Sequence, residues 1–201
     1  MAAMTSAGVT PGPDVGSHRR RIIAAAVEMT ARTGWSGVTM GRIADAVGVS
    51  RQTVYNEIGS KQALAEAMVL DELTGFLAVV DVAFDHHPED AVESIREATR
   101  GVLELAQDNT LLRTIVSTTH GGESDLLPLL TTRAESLLTT AKNVIAGRLD
   151  AFDLPLTRRQ LSAGIDVVVR VVLSHVMQPS ATPKRTADDI AWIAARVLNA
   201  D

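Results

Sequence analysis

The stretch TMGRIADAVGVSRQTVYNEIGSK, residues 39–61, determines how the N-terminal part of this chain folds. Thr39 can cap a helix through its hydroxyl, and Gly48 suits the left-handed conformation that ends one. Ser50 is placed to cap a second short helix, and Ser60 to cap a longer third helix. The pattern therefore predicts two short helices joined by a tight turn, which is a helix-turn-helix.

Apolar residues around these caps fall at helical spacing. Val38 and Ile43 are placed as a hydrophobic staple across the first cap, and Val49 and Val54 are placed in the same way at the second. Ile43 and Val47 share one face of the first helix, which predicts that this face is buried. The rest of the second helix is polar and exposed.

The second short helix carries side chains that hydrogen-bond to DNA. Arg51 can donate to guanine edges, and Gln52 can bond adenine in bidentate fashion. Thr53, Tyr55 and Lys61 suit phosphate contacts, which fix register rather than sequence. A solvated helical hairpin is the alternative, but it leaves the agreement of caps, turn and contact chemistry unexplained. The predicted DNA-binding residues are Thr39, Ser50, Arg51, Gln52, Thr53, Tyr55, Asn56 and Lys61.

Residues 18–68 resemble the N-terminal DNA-binding domain of the TetR family of transcriptional regulators. In that family a basic helix and a glycine–aromatic step precede the pattern T-x-x-x-I-A-x-x-x-G-V-S-x-x-T-x-Y-x-x-F-x-S-K. The matching positions are Thr39, Ile43, Ala44, Gly48, Val49, Ser50, Thr53, Tyr55, Ser60 and Lys61, with residues 18–33 as the basic helix and Gly34 and Trp35 at the step. Ile58 replaces the usual Phe. Glu57 stands where His, Tyr or Arg is common, and we expect no contribution to binding from this acidic side chain.

The resemblance implies an all-α fold in which a three-helix DNA-binding domain precedes a helical ligand-binding and dimerisation domain. We place the domains at 18–62 and 63–201, after a disordered arm at 1–17 that lacks the apolar run of a signal peptide or membrane anchor. The family also implies a homodimer that binds double-stranded operator DNA. Family members commonly release the operator when a small molecule enters a cavity among the middle helices.

The charge distribution agrees with this division. Residues 1–61 hold seven Lys or Arg against four Asp or Glu, which is a net +3, whereas residues 62–201 hold twelve against twenty, a net −8. Only the N-terminal part therefore has the sign that DNA binding requires. The chain contains no cysteine, which excludes disulfides and thiol catalysis.

Helical periodicity continues through the second domain. A first helix runs from its Ser60 cap to about Phe84 and links the domains, and Thr157 and Gln160 form a capping box at a later one. The remaining helices are predicted near residues 87–107, with Pro88 in the first turn, and near 111–119, 125–152 and 186–199.

The last two helices are more apolar than a monomer surface requires. Residues 167–169 and 171–173 place aliphatic side chains on several faces at once, which is typical of a buried helix. Asp166, Arg170 and His175 argue against a membrane span. We predict a homodimer interface formed by these two helices in each subunit. Two recognition helices about 34–36 Å apart or more would then read a near-palindromic operator.

The effector site is less clearly encoded. Aliphatic candidates for its lining also suit an ordinary core: Leu103, Leu112, Ile115, Val116, Leu137, Val144 and Ile165. Polar candidates that also suit a surface or helix-end position are Arg113, Thr119, His120, Asn143 and Asp166. Aromatic residues make up only 3% of the chain. This favours a small hydrophobic effector with a flexible aliphatic chain, such as a fatty-acyl compound, over flat aromatic cations.

Other side-chain groups do not form a convincing catalytic or metal site. Asp85, His86 and His87 lack a clear third ligand. Ser117, His120 and Asp125 lie close in sequence but lack the strand–turn–helix context of a hydrolase nucleophile. We therefore predict a cytoplasmic regulator with no cofactor and no enzymatic activity, and a repressor in preference to an activator. The alternative is a helical small-molecule carrier or enzyme that retains a DNA-binding domain.

Overall fold

The computed structural model describes residues 15–117 and 134–198, which form helices and turns without any strand. This confirms the predicted all-α class. In chain order the elements are α1 (Val15–Thr33), a 3-10 turn (Trp35–Gly37), α2 (Met40–Val47), α3 (Arg51–Ile58), α4 (Lys61–His86), α5 (Ala91–Asp108), α6 (Thr110–Ser117), α7 (Ala134–Leu149), α8 (Arg158–Met177) and α9 (Pro183–Leu198).

The predicted capping residues stand at the observed helix starts. Thr39, Ser50 and Ser60 each accept a hydrogen bond from the backbone N–H three residues further on, at 3.0–3.2 Å. Thr157 and Gln160 form the reciprocal capping box before α8. Each cap satisfies a backbone donor that the helix itself leaves unpaired. The starts of α2, α3, α4 and α8 are therefore set by residues immediately before them.

The DNA-binding domain is closed around a small aliphatic core. Ile22, Val38, Ile43 and Val54 are fully buried at the meeting point of α1, α2 and α3. Gly48 ends α2 with φ of 74°, a conformation that costs a residue with a Cβ more than it costs glycine. The turn and the core together hold α3 across α2 with one face outward.

Some helix boundaries differ from the predicted ones. Helix α1 begins at Val15, before His18. Helix α5 begins at Ala91 because Asp90 is its N-cap and accepts a hydrogen bond from Glu93 N at 2.9 Å. Pro88 therefore precedes the helix and does not lie in its first turn. Helix α9 begins at Pro183, where proline's fixed φ favours the first helical position.

The predicted arm and two predicted helix segments fall partly on residues that the structure does not describe. Residues 1–14 lie outside the described ranges, so the arm stays a prediction there. Residues 118–133, which include Thr119 and His120, also lie outside them. The predicted helix 125–152 is thus observed from Ala134 onward.

The second domain is built around α4, which extends from the DNA-binding domain. Helix α5 packs against both α4 and α9, and α7 packs against α4 and α8. Val80, Phe84, Leu149 and Ile165 form part of the buried core between these helices. Leu111 of α6 is instead buried in the core of the DNA-binding domain, so α6 connects the two domains.

Candidate DNA-binding surface and effector cavity

Helix α3 presents its polar face to solvent. Val54 and Ile58 are buried beneath it, whereas Arg51, Gln52 and Asn56 are exposed and Tyr55 is 48% exposed. This division follows the 3.6-residue helical period, which places residues 54 and 58 on one side. The predicted contact residues of α3 thus form one continuous outward face.

Hydrogen bonds within this face orient its polar groups. The Gln52 Nε2 donates to Asn56 Oδ1 at 2.9 Å, one helical turn away. The hydroxyls of Ser50 and Thr53 lie 2.8 Å apart. Thr39, Ser50 and Thr53 therefore take part in helix capping, whereas Gln52 and Asn56 form an amide pair with donors and acceptors still free for base edges.

The guanidinium of Arg51 lies directly against the backbone of α2. A methyl group placed on Gly41 would be 2.9 Å from Arg51 Nε and 3.0 Å from its Cζ, which is closer than carbon atoms normally approach. The observed position of Arg51 thus requires that residue 41 has no side chain. Sequence reasoning missed Gly41, because its partner lies on the next helix.

Lys61 is held by the 3-10 turn. Its Nζ donates to the carbonyl oxygen of Trp35 at 3.0 Å and lies 4.8 Å from the centroid of the Trp35 ring. This contact fastens the start of α4 to the DNA-binding domain. Because an ammonium group has three donors, the bond to Trp35 leaves others for a phosphate.

Two basic residues of α1, absent from the predicted set, close the ends of the helix-turn-helix. Arg19 donates to the carbonyl oxygen of Glu57 near the end of α3, and Arg21 donates to that of Val47 at the end of α2. Cations are favourable at helix C-termini because the last carbonyl groups carry partial negative charge. These arginines stabilise the domain, and α1 supplies no sequence signal that identifies their partners.

An apolar cavity of about 220 Å³ lies among α4, α5, α7 and α8. Its lining is almost wholly hydrocarbon, with Glu72 and Thr99 as the polar exceptions among the described residues. Leu112 and Leu137, two of the predicted lining residues, lie here. The other walls include Phe76, Leu77, Val80, Phe84, Val102, Leu138, Ile145, Val169, Val172 and Val176.

The carboxylate of Glu72 is hydrogen-bonded at the cavity wall. Asn109 Nδ2 donates to Glu72 Oε2, and Asn109 Oδ1 accepts from the backbone N–H of Leu112 at 2.8 Å. This chain of hydrogen bonds joins α4 to the start of α6. A polar group at an apolar wall is costly unless it is paired, and Glu72 is paired by the protein itself.

A second cavity of about 460 Å³ adjoins the first. Leu103 and Arg113, both predicted effector residues, lie in its wall together with His175 and Met177 of α8. Leu112 and Val176 line both cavities, so the two spaces lie on either side of these side chains.

The other predicted effector residues are placed differently. Asn143 is exposed on α7. Asp166 accepts hydrogen bonds from Lys142 and Arg170, both at 2.9 Å, and these bonds lower its pKa below the ordinary aspartate value. Ile115 and Val116 belong to α6, but the structure does not describe the positions of their side chains.

His86, His87 and Glu97 form an ion cluster at the junction of α4 and α5. Glu97 Oε1 lies 2.9 Å from His86 Nδ1, and Glu97 Oε2 lies 2.6 Å from His87 Nε2. The hydrogen bond from His86 lowers the pKa of Glu97, and desolvation partly opposes it. The carboxylate thus ties the end of α4 to the middle of α5.

Helices α8 and α9 leave large apolar side chains exposed. Val167 is 59% exposed and Trp192 is 61% exposed, and Val171, Ile193 and Val197 continue this apolar surface. Helix α8 is the one described helix long and apolar enough to cross a membrane, and 6% of its apolar window is buried. Single exposed apolar residues are normal, but a set of this size on two consecutive helices indicates a contact surface.

Comparison with known families matches both parts of the chain. Residues 22–68 match the family model described as bacterial regulatory proteins, tetR family. Residues 90–196, more than half of the chain, match the model described as the bacterial tetracyclin repressor C-terminal domain. The chain belongs to the TetR family. As a TetR-family member it is a DNA-binding transcriptional regulator with ligand-responsive control.

Several TetR-family proteins resemble this one along most of their length. The HTH-type transcriptional regulator AlkX of Mycobacterium tuberculosis is 28% identical over 157 residues, covering 78% of this chain and 74% of that protein. The crystal structure of the TetR family repressor AlkX from a Dietzia species, implicated in biodegradation of n-alkanes, is 27% identical with a TM-score of 0.73, covering 89% of this chain and 96% of that one.

A more distant structure shares the fold. The fatty acid degradation regulator FadR from Bacillus halodurans has a TM-score of 0.54 at 17% identity, covering 90% of this chain and 98% of that one. At this identity the likeness concerns the architecture alone.

Proposed function

We propose that this protein is a dimeric repressor that binds a near-palindromic operator and is released by an apolar effector. The observation that carries the proposal is the combination, in one chain, of an exposed polar recognition helix and an apolar cavity joined to it through α6. Helix α6 places Leu111 in the core of the DNA-binding domain and the adjacent Leu112 at the cavity wall.

In this proposal α3 enters the major groove. Arg51, Gln52 and Asn56 contact base edges, because their exposed side chains offer the donors and acceptors that guanine and adenine recognise. Tyr55 and Lys61 contact phosphates. Thr39 and Ser50 cap the two helices, and Thr53 pairs with the Ser50 hydroxyl, so these hydroxyls lie at the helix starts, where we place them beside DNA phosphates that fix the register of the domain on the duplex.

Dimerisation places two DNA-binding domains on one duplex. The exposed apolar side chains of α8 and α9 support a second copy of the chain as the partner, because both of the last two helices carry them, with Val167 and Val171 on α8 and Trp192 and Ile193 on α9. A membrane is a poorer partner for α8, since Asp166 and Arg170 are ion-paired on it. We therefore place the regulator in the cytoplasm, with a four-helix interface between subunits.

The effector is proposed to be an aliphatic molecule. The hydrocarbon lining of the first cavity favours alkyl chains, and the Dietzia repressor, 27% identical, is implicated in biodegradation of n-alkanes. We assign the protein no catalytic role, because the proteins it matches are transcriptional regulators. Repression, in preference to activation, follows the Dietzia relative.

Selection of random duplexes by the purified protein tests this function. We expect enrichment of a near-palindrome that dimers bind, with an affinity that falls linearly on a log–log scale as salt increases. Addition of a medium-chain alkyl compound should then release that duplex. Failure of the folded protein to enrich any sequence would contradict the assignment of α3 as a recognition helix.

A further inference from the structure

The second cavity differs chemically from the first. It lies between α5, α6, the end of α8 and the turn before α9, and its described lining includes the cationic Arg113 and the imidazole of His175. None of the described residues that line it is acidic. The first cavity instead has Glu72 as its charged group, and Asn109 already bonds that carboxylate.

The two cavities are neighbours, one with an apolar lining and the other with a cationic residue in its wall. Leu112 and Val176 belong to both walls, so the side chains of these two residues are shared between the hydrocarbon space and the space at Arg113. Their volumes, about 220 and about 460 Å³, together lie within the roughly 300–1,000 Å³ of typical small-molecule sites.

We infer that the effector is an alkyl chain that ends in an anionic group, with the chain in the first cavity and the anion bound by Arg113 and His175 in the second. This inference rests on the proposed effector-released function. A guanidinium offers two parallel N–H donors that match the oxygens of a carboxylate or a phosphate. The paired Glu72 disfavours an anion at the other end, because like charges repel there.

The position of this anion site places it close to the DNA-binding domain. Arg113 follows Leu111 and Leu112 on α6, and Leu111 is buried in the core of the DNA-binding domain. An anion that draws Arg113 toward His175 therefore acts on the helix that contacts both domains. The head group, in addition to the chain, then contributes to release of the operator.

Calorimetric titration with a matched ten-carbon series tests the inference: decanoate, decyl phosphate and decanol. We expect the wild-type protein to bind the two anions about tenfold or more tightly than the alcohol, because charge-assisted hydrogen bonds are stronger than neutral ones. Preference for decanoate over decyl phosphate would indicate a carboxylate effector, and the reverse a phosphate. In R113Q and H175Q the preference for anions should shrink, while the affinity for decanol stays unchanged. R113K should retain part of the preference for anions, because lysine keeps the positive charge.

Controls separate this inference from the proposed function. R159Q removes an exposed arginine of α8 outside both cavities and should bind the series as the wild type does. Unchanged operator affinity without effector will show that R113Q and H175Q are folded. Equal binding of decanol and decanoate would overturn the anion site but leave an apolar effector in place. Binding of none of the three, with operator binding intact, would overturn the aliphatic effector and the anion site together.

Discussion

Gly41 and Arg51 lie on different helices of the DNA-binding domain, and the Arg51 guanidinium lies against the backbone of Gly41. Glycine within a helix ordinarily costs up to about 1 kcal/mol relative to alanine. Here it leaves space for the side chain of Arg51, which we propose contacts a base. We therefore propose that sequence specificity depends in part on Gly41, although glycine has no side chain to contact DNA.

Gly41→Ala should raise or preserve thermal stability yet weaken binding to the selected operator. Because the methyl group displaces the Arg51 guanidinium, we expect up to about a tenfold loss, within the roughly 1–3 kcal/mol that a good base contact is worth. Fluorescence anisotropy with the labelled cognate duplex measures this affinity. Gly75→Ala is the matched control, since a methyl group on that α4 glycine meets open space. Equal affinity of the Gly41→Ala and wild-type proteins would rule out this positioning role.

Arg51→Ala and Lys61→Ala should have different effects on DNA binding. Loss of Arg51 should cost about 1–3 kcal/mol on the cognate duplex and relax base preference, whereas loss of Lys61 should weaken all duplexes similarly and reduce the salt slope by about 1. Competition between cognate and scrambled duplexes at several salt concentrations measures both quantities. If Lys61→Ala changes stability but not the salt slope, Lys61 serves only its contact with Trp35.

Helix α6 contacts both domains. Leu111 is 2% exposed in the core of the DNA-binding domain, although α6 lies in the second domain of the sequence. Leu111→Ala should lower the free energy of unfolding by about 2–5 kcal/mol, the range for buried leucines. Denaturant titration measures this change, and Leu105→Ala, at a site 37% exposed on α5, is the control that should lose much less. Equal losses would mean that Leu111 does not pack as described.

Helices α7 and α8 are joined by an ion pair. Lys142 and Arg170 lower the pKa of Asp166, so the folded state favours its charged form. A depressed folded pKa contributes stability above the ordinary aspartate value of 3.8, and this contribution disappears as pH falls through the lowered folded value.

Asp166→Asn should therefore lower the melting temperature slightly at neutral pH. The difference from wild type should shrink as the pH falls below that ordinary value and vanish once the pH is below the lowered folded pKa. Melting curves across the acid range provide the measurement. Asp153→Asn, at an exposed position after α7, is the control and should show no such pH-dependent difference. A difference that persisted at the lowest pH would point to a packing effect of the substitution.

The exposed apolar side chains of α8 and α9 form the proposed dimer interface. Stable interfaces bury about 1,200–2,000 Å² or more, and those of obligate homodimers are the more hydrophobic ones. Val167→Glu combined with Ile193→Glu places a charge on each helix of that surface. We expect monomers by light scattering and a large loss of affinity for the palindromic operator, because two heads no longer bind together.

Val82→Glu is the matched control for the interface variant, since Val82 is comparably exposed but lies on α4. It should remain dimeric and bind the operator normally. A double variant that stays dimeric with wild-type affinity would move the interface away from α8 and α9. Normal circular dichroism of the monomer will separate loss of assembly from loss of folding.

The local parts of this protein follow from its sequence alone. Thr39, Gly48 and Ser50 act on backbone groups within a few residues of themselves, so the helix-turn-helix and its outward polar face were predictable from spacing. The same reasoning located the capping box of α8. The net charge of each part and the family pattern in residues 18–68 then indicated DNA as the partner.

Tertiary structure decided the contacts between residues far apart in the chain. The approach of Arg51 to Gly41, the bond from Lys61 to Trp35 and the two neighbouring cavities arise where separate helices meet. An aliphatic residue at a cavity wall has the same chemistry and helical spacing as one in a filled core. Only the packing of α4, α5, α7 and α8 determines which of those faces meet, and which leave space for a ligand.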